Sequence, residues 1–210
     1  MRVIIFDFDG TIADSFETVL RISNQLAAEF GYPVVQGAEE IDQLKALSSR
    51  EIIKRSKISP LKLPFLLLRL RTELNREISQ LKLISGMKSV LLSLKAQGNR
   101  LGIVTSNSCK NVNTFLEVQE LQDVFDFVSS GLSLFGKGRV VQRLMHQRRL
   151  HPTEVIYVGD ETRDIEAAHK IGIKAIAVTW GFNSSQALAA ENPDFLIHKP
   201  EDLLQVTRTF

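Results

Sequence analysis

The chain has 210 residues, 44% hydrophobic and 24% charged, which implies a packed core of ordinary domain size and excludes extended disorder. Its formal net charge of +2 is too small to argue for a nucleic-acid partner. A single cysteine, Cys109, excludes an intrachain disulfide and fits a reducing compartment.

The chain opens on RVIIF (2–6), a β-branched apolar run that predicts a buried parallel strand. The run is too short for the apolar core of a secretion signal and leads straight into acids. No window nears the roughly 18 apolar residues of a membrane span. A cytoplasmic protein with no membrane partner is expected. After DFDGT, the residues Phe16, Val19, Leu20, Leu26, Ala27 and Phe30 recur at helical spacing, and Gly31 and Pro33 end that helix.

Residues 38–83 are expected to be wholly helical. Ser48 and Glu51 have the spacing of a capping box for a helix from Ser49, Ser59-Pro60 breaks the chain, and a helix resumes over 61–78. Ser85-Gly86 punctuates, and a helix over 87–96 closes at Gly98. Strands then alternate with helices. Strands are predicted at 101–105, 125–128, 155–158, 174–178 and 195–197. Helices are predicted at 111–121, 138–149, 165–171 and 186–190. This alternation implies right-handed crossovers and a Rossmann-like parallel sheet, an α/β fold with helices on both faces. The sheet domain would comprise 1–13 and 84–210, with a small all-helical cap, 14–83, inserted after the first strand.

Charge is unevenly spread along this order. Residues 43–100 hold thirteen Lys and Arg against three acids, a net of +10 that leaves −8 for the rest of the chain. Two readings stay open: solvated helix faces, or a surface that attracts an anionic substrate.

The polar clusters all follow strands. Asp7 and Asp9 follow the first; Thr105, Ser106 and Asn107 close the second; Lys137 comes after the third; Asp160, Glu161 and Asp164 follow the fourth. Open parallel sheets bind ligands beyond the carboxyl ends of their strands, so these residues should converge. Carboxylates brought together repel and raise one another's pKa values, and a divalent cation with oxygen ligands relieves that; magnesium fits and also binds phosphate. Acids, a metal and a lysine describe a phosphoryl-transfer site.

The segments IIFDFDGT, LGIVTSNS, FGKGRVVQRLM and YVGDETRD resemble the four ordered motifs of the haloacid dehalogenase-like hydrolase superfamily. The helical insert resembles the cap of its phosphoglycolate phosphatase-like branch. The resemblance implies Asp7 as nucleophile, forming an aspartyl-phosphate, and Asp9 as general acid and then base. It implies a phosphate held by Thr105, by the backbone N–H groups of Ser106 and Asn107, and by Lys137. Magnesium would be bound by Asp7, the backbone carbonyl of Asp9, Asp160 and Asp164, the last directly or through water. Asp164 also reads as a helix N-terminal acid, and Glu161 as helix-start decoration.

Asp9 argues for phosphate chemistry, because the halide-removing members of that superfamily lack the second acid. A phosphatase acting on a small phosphorylated metabolite leads; a phosphomutase, a phosphonate-cleaving enzyme and a non-catalytic binding protein on the same fold stay as alternatives. The KALSSR stretch, 45–50, is the candidate specificity loop, with Lys45 or Arg50 set to pair with a carboxylate or second phosphate. Phosphoglycolate is one candidate among sugar phosphates, nucleotides and phospho-acids, and the protein is either a monomer or a homodimer. His146, His151, His169 and His198 fall outside every motif and are expected at the surface. Trp180 and Phe182 are expected to pack near a strand end.

Overall fold

The structure is a computed structural model, described for residues 2–131 and 136–209. Phe135, the first residue of the FGKGRVVQRLM segment, lies outside the described residues.

Strand β1 (Val3–Phe6) is followed by a two-residue strand β2 (Ala13–Asp14) and four helices: α1 (Phe16–Phe30), α2 (Ala38–Lys45), α3 (Ser49–Ser56) and α4 (Leu63–Glu77). A two-residue strand β3 (Lys82–Leu83) leads back to α5 (Met87–Ala96) and β4 (Arg100–Thr105). Then come α6 (Cys109–Val118), β5 (Phe127–Ser130), α7 (Lys137–Arg148), β6 (Val155–Gly159), α8 (Thr162–Ile171) and β7 (Lys174–Val178). The chain closes with α9 (Ser185–Ala190), β8 (Phe195–Ile197) and α10 (Leu203–Val206).

Six strands form one sheet in the order β5-β4-β1-β6-β7-β8, every neighbouring pair parallel. Alternate residues of each strand feed opposite faces, as a period of two requires. Ile4 and Phe6 of β1 join Ile156 and Val158 of β6 on the face covered by α5, α6 and α10. Val3 and Ile5 join Val155 and Tyr157 on the face covered by α7, α8 and α9. Each fully buried side chain of this size contributes about 1.5–3 kcal/mol. The first apolar layer does not stop at the sheet. It runs on into α1 through Ile22, Leu26 and Phe30 and into α4 through Leu66 and Leu74.

The predicted sheet and its helical layers are present, with three local corrections. The insert is not wholly helical: β2 and β3 pair antiparallel, Ala13 with Leu83 and Asp14 with Lys82. Its two ends must lie side by side where the chain leaves and rejoins the sheet, and this short ladder satisfies their backbone groups. Two residues are too few to leave a period in the sequence.

The strand expected at 125–128 begins two residues later. The Asp126 carboxylate accepts from the Leu101 N–H at 2.8 Å and from Lys95 at 2.7 Å, fixing the turn before the ladder starts. Phe127 then stands opposite Gly102, whose missing Cβ leaves room for the phenyl ring. The helix expected at 111–121 begins earlier because Ser108 caps it, accepting from the Asn111 N–H at 3.1 Å. The capping box at Ser48 and Glu51 is formed as expected.

Candidate active site

Strand order reverses at β1, which has β4 on one side and β6 on the other. The crevice at that point lies beyond the carboxyl end of β1, where Asp7 follows the strand. The Asp7 N–H donates to the Val158 carbonyl at 2.8 Å, extending the ladder by one bond, and its Oδ1 accepts from the Phe8 N–H at 2.7 Å. Beside it, Asp160 follows β6, Asp164 lies in the first turn of α8, and Lys137 opens α7.

These four residues come together. Carboxylate oxygens of Asp7, Asp160 and Asp164 all lie within 4.8 Å of one another, and all three residues are buried. Lys137, 3% exposed, donates to Asp7 Oδ2 and, at 2.6 Å, to Asp164 Oδ1. Asp164 serves twice, because its Oδ2 also accepts the Glu161 N–H at 3.2 Å and caps α8. Among the described residues the Asp160 carboxylate has only neutral donors, the Thr11 hydroxyl at 2.6 Å and the Phe182 N–H at 2.7 Å. Gly10, at φ +75°, lets the chain turn tightly here, since a Cβ would collide with the Asp160 carboxylate and the Phe182 ring.

The electrostatics follow from this crowding. Burial pushes the Asp7 carboxyl up against the pull of Lys137. Burial, reinforced by Asp7, Glu161 and Asp164, raises Asp160 well above the carboxylate range. Burial also pushes Asp164 up to about 7, although Lys137 opposes it. The Lys137 amine moves the other way: burial disfavours its charge, but Asp164 and Asp7 outweigh burial and hold it above its usual value. Negative charge is therefore in excess, and the donors are hard carboxylate oxygens. That set fits a divalent cation of the magnesium type.

The Asp9 carboxylate stands outside this cluster. Its Oδ2 accepts from Asn107 Nδ2 at 3.1 Å, so the side chain takes no part in the acidic triad, and only its backbone carbonyl is left for the metal role expected of it. Burial raises the Asp9 carboxyl, and the Asn107 contact draws it part of the way back. Thr105 is fully buried, and its hydroxyl accepts the Asn107 N–H at 2.9 Å. The Asn107 N–H, expected to face a phosphate, is thus already engaged by its own turn. The Asn107 side chain is locked from the other end, its Oδ1 accepting from Ser108 N at 2.8 Å and Asn111 Nδ2 at 2.9 Å.

In the expected specificity loop, Lys45 donates to the Gly181 carbonyl at 3.2 Å and lies 4.1 Å above the Phe16 ring. Arg50 pairs with Glu166 of α8 at 3.0 Å, its side chain two-thirds exposed. The loop is docked by Asn183, 4% exposed, whose Nδ2 donates to the carbonyls of Lys45 (3.0 Å) and Leu47 (2.8 Å). Its Oδ1 accepts the Thr162 N–H at 2.9 Å. Glu161 makes a second tie, accepting from Ser49 at 2.9 Å and from Arg163.

Sequence reasoning missed Arg71. Its guanidinium crosses from α4 to the strand ends, where Nη2 donates to the Ser106 carbonyl and, at 2.8 Å, to the Gly131 carbonyl. A signal was present: Arg71 interrupts the apolar stripe Leu67, Leu70, Leu74, Ile78, where a cation has no packing reason to be. A cavity of about 170 Å³ separates α1 and α4 from the strand-end loops, with Arg71, Asp9, Ser106 and Asn107 on its wall. Phe182 lines it too and packs edge-on against Phe16, ring centroids 5.3 Å apart. Trp180 donates to the Thr11 carbonyl at 3.2 Å. All four histidines are exposed, and the Cys109 thiol points at the Val128 carbonyl. Among the described residues no helix is long and apolar enough to cross a membrane.

A doubly wound parallel sheet, carrying aspartates past its central strand and four helices inserted between the short strands β2 and β3, defines the class. The chain belongs to the haloacid dehalogenase-like hydrolases, whose family model matches residues 4–178. It is 42% identical over 205 residues to the phosphoglycolate phosphatase of Synechococcus elongatus, covering 98% of this chain and 96% of that one. It is 28% identical over 218 residues to the phosphoglycolate phosphatase of Vibrio cholerae, with the same coverages. A crystal structure described as a predicted phosphatase from Clostridium acetobutylicum shares the fold with a TM-score of 0.84, at 21% identity over 100% of this chain and 99% of that one.

Proposed function

We propose that this protein is a magnesium-dependent phosphatase that hydrolyses a small phosphate monoester, with phosphoglycolate the first candidate. The observation that carries the proposal is the convergence of Asp7, Asp160 and Asp164 around the Lys137 amine at the end of the central strand. The 42% identity to a phosphoglycolate phosphatase supports the choice of substrate. The small cavity supports it as well: about 170 Å³ is below the range of about 300–1,000 Å³ usual for ligand pockets and suits a short molecule.

Asp7 attacks phosphorus, and the bond to the leaving oxygen breaks as an aspartyl-phosphate forms. Asp9, whose raised carboxyl favours the protonated form, gives its proton to that leaving oxygen and then takes one from the attacking water. Lys137 neutralises Asp7 and the transferring phosphoryl oxygens, and the Thr105 hydroxyl binds one of them. Asp7, Asp160 and Asp164, with the backbone carbonyl of Asp9, would hold magnesium, which when bound offsets phosphoryl charge. Residues 14–83 act as a cap over a catalytic domain made of 1–13 and 84–210, and closing it excludes water.

The test is hydrolysis of phosphoglycolate and p-nitrophenyl phosphate by wild type and Asp7→Asn, with magnesium and with chelator. Turnover that needs both magnesium and Asp7 is expected. Activity that survives Asp7→Asn in a folded protein sinks the mechanism, and a wild type silent on both compounds sinks the phosphatase reading.

A further inference from the structure

We infer that Arg71 recognises a carboxylate on the non-transferred end of the substrate, which makes this helical arginine, not Lys45 or Arg50, the specificity determinant. The inference rests on the phosphatase reading above and narrows its substrate class to short phospho-acids.

Arg71 shares one cavity with the residues that would perform the chemistry. Asp9, Ser106 and Asn107 line the same space, and Val19, Leu70 and Leu74 supply its apolar walls. A phosphoryl group placed at Asp7, with Asp9 beside its leaving oxygen, would leave the rest of the molecule to extend through this space toward α4. A short substrate suits a space of about 170 Å³, and its far end would then lie on the side of Arg71.

The guanidinium is pre-positioned. Nη2 is fixed by the carbonyls of Ser106 and Gly131, in the loops after β4 and β5. Among the described residues Nε and Nη1 have no partner. Nη2 is taken by the two carbonyls, so a carboxylate would be met by the fixed positive charge and an Nη1 N–H, and the carbonyl anchors spare the rotamer entropy that a free arginine would lose on binding. The other guanidinium on the cavity wall, Arg163, is bonded to Glu161. Lys45 and Arg50 are turned to Gly181 and Glu166. Arg71 is thus the insert's one cation on this wall.

The test compares phosphoglycolate with 2-hydroxyethyl phosphate, the same molecule with its carboxylate reduced to an alcohol. Wild type should prefer phosphoglycolate, and Arg71→Met should cut the ratio of the two kcat/KM values at least tenfold, chiefly through KM for phosphoglycolate. Arg71→Lys, which keeps the charge but not the anchored guanidinium plane, should restore part of the ratio. Binding of phosphoglycolate to Asp7→Asn, with and without Arg71→Met, reads the same contact without turnover. Equal losses on both substrates would overturn the inference and leave Arg71 as a tie between α4 and the loops. So would a wild type that hydrolyses both without preference, although the phosphatase reading would stand. A wild type active on neither would overturn both.

Discussion

The Thr11 hydroxyl donates to Asp160 Oδ1 at 2.6 Å, joining the turn after the first strand to the end of β6, 149 residues away in sequence. Both residues are fully buried. Thr11 therefore aims a carboxylate of the acidic triad from the far side of the crevice. Replacing it with valine keeps the shape and removes the donor. With magnesium present, Thr11→Val should lower unfolding free energy by about 1.5–3 kcal/mol in urea titrations, the usual cost of losing a hydrogen bond to a charged group. Its affinity for magnesium should fall as well, because Asp160 loses one of its two orienting donors.

Asp160 should oppose folding when no metal is bound. Its carboxyl is raised well above the ordinary value, so the stability linked to it is present below the unfolded pKa of about 3.9 and is lost as pH rises from there toward the folded value. Metal-free wild type should accordingly weaken with rising pH over that span, and Asp160→Asn should flatten the trend and be the more stable protein at neutral pH. Magnesium should reverse the order. At a hundredfold excess over its dissociation constant it should add about 2.7 kcal/mol to wild type and far less to Asp160→Asn. Thermal unfolding in chelator and in magnesium reads both effects.

Asn183 is the joint on which the 45–50 loop rests. Asn183→Ala strands the Leu47 carbonyl and the Thr162 N–H, while the Lys45 carbonyl keeps the Ser184 N–H at 2.8 Å, and each unsatisfied buried group costs about 1–3 kcal/mol. Water will reach some of them, so a loss of about 2–3 kcal/mol is expected by urea denaturation. Limited proteolysis should show faster cleavage near Lys45 while the sheet stays intact. Cleavage at the wild-type rate would mean that the loop is held by other contacts.

Asp126 supplies a test far from the site. Burial raises its carboxyl, but Lys95 and the Leu101 N–H together pull it below the ordinary value. The sign is then the usual acid one: its contribution is present above a pH of about 4 and is lost as pH falls through the depressed folded value. Asp126→Asn should cost about 1 kcal/mol at neutral pH, kept small by solvent at the Lys95 contact, and the gap from wild type should close in acid.

Much of the fold was legible because its signals are periodic or bulky. β-Branched runs marked five of the six sheet strands closely, and glycine or capping residues marked most helix ends. What escaped was whatever depends on a partner far along the chain. The β2–β3 ladder needs two segments that carry no pattern alone. The shifted start of β5 follows from an Asp126 contact to Leu101. In the site, Asp7, Asp160, Asp164 and Lys137 stood out because charged residues just past apolar strands have few structural reasons to be there. Lys45 and Arg50 were chosen for their loop, and the contacts they make, to the Gly181 carbonyl and to Glu166, depend on segments far along the chain that carry no signal beside them. Arg71 was overlooked because it was counted only within the basic charge of the insert, and its helix was not resolved into faces.

The register of the first strand has a consequence for how the molecule is made. Val3 pairs with Arg100 on one side and with Val155 on the other. The strand that precedes Asp7 is synthesised before both of its neighbours, which lie roughly 100 and 150 residues further along the chain. A growing chain at about 5–20 residues per second keeps this apolar segment unpaired for many seconds, a hazard of long-range parallel pairing. The helices that come between are local structures and can form in the meantime. A nascent chain stopped before residue 155 would thus hold much of its helical content and no assembled acidic triad, so competence should arrive abruptly, once β6 and α8 have emerged.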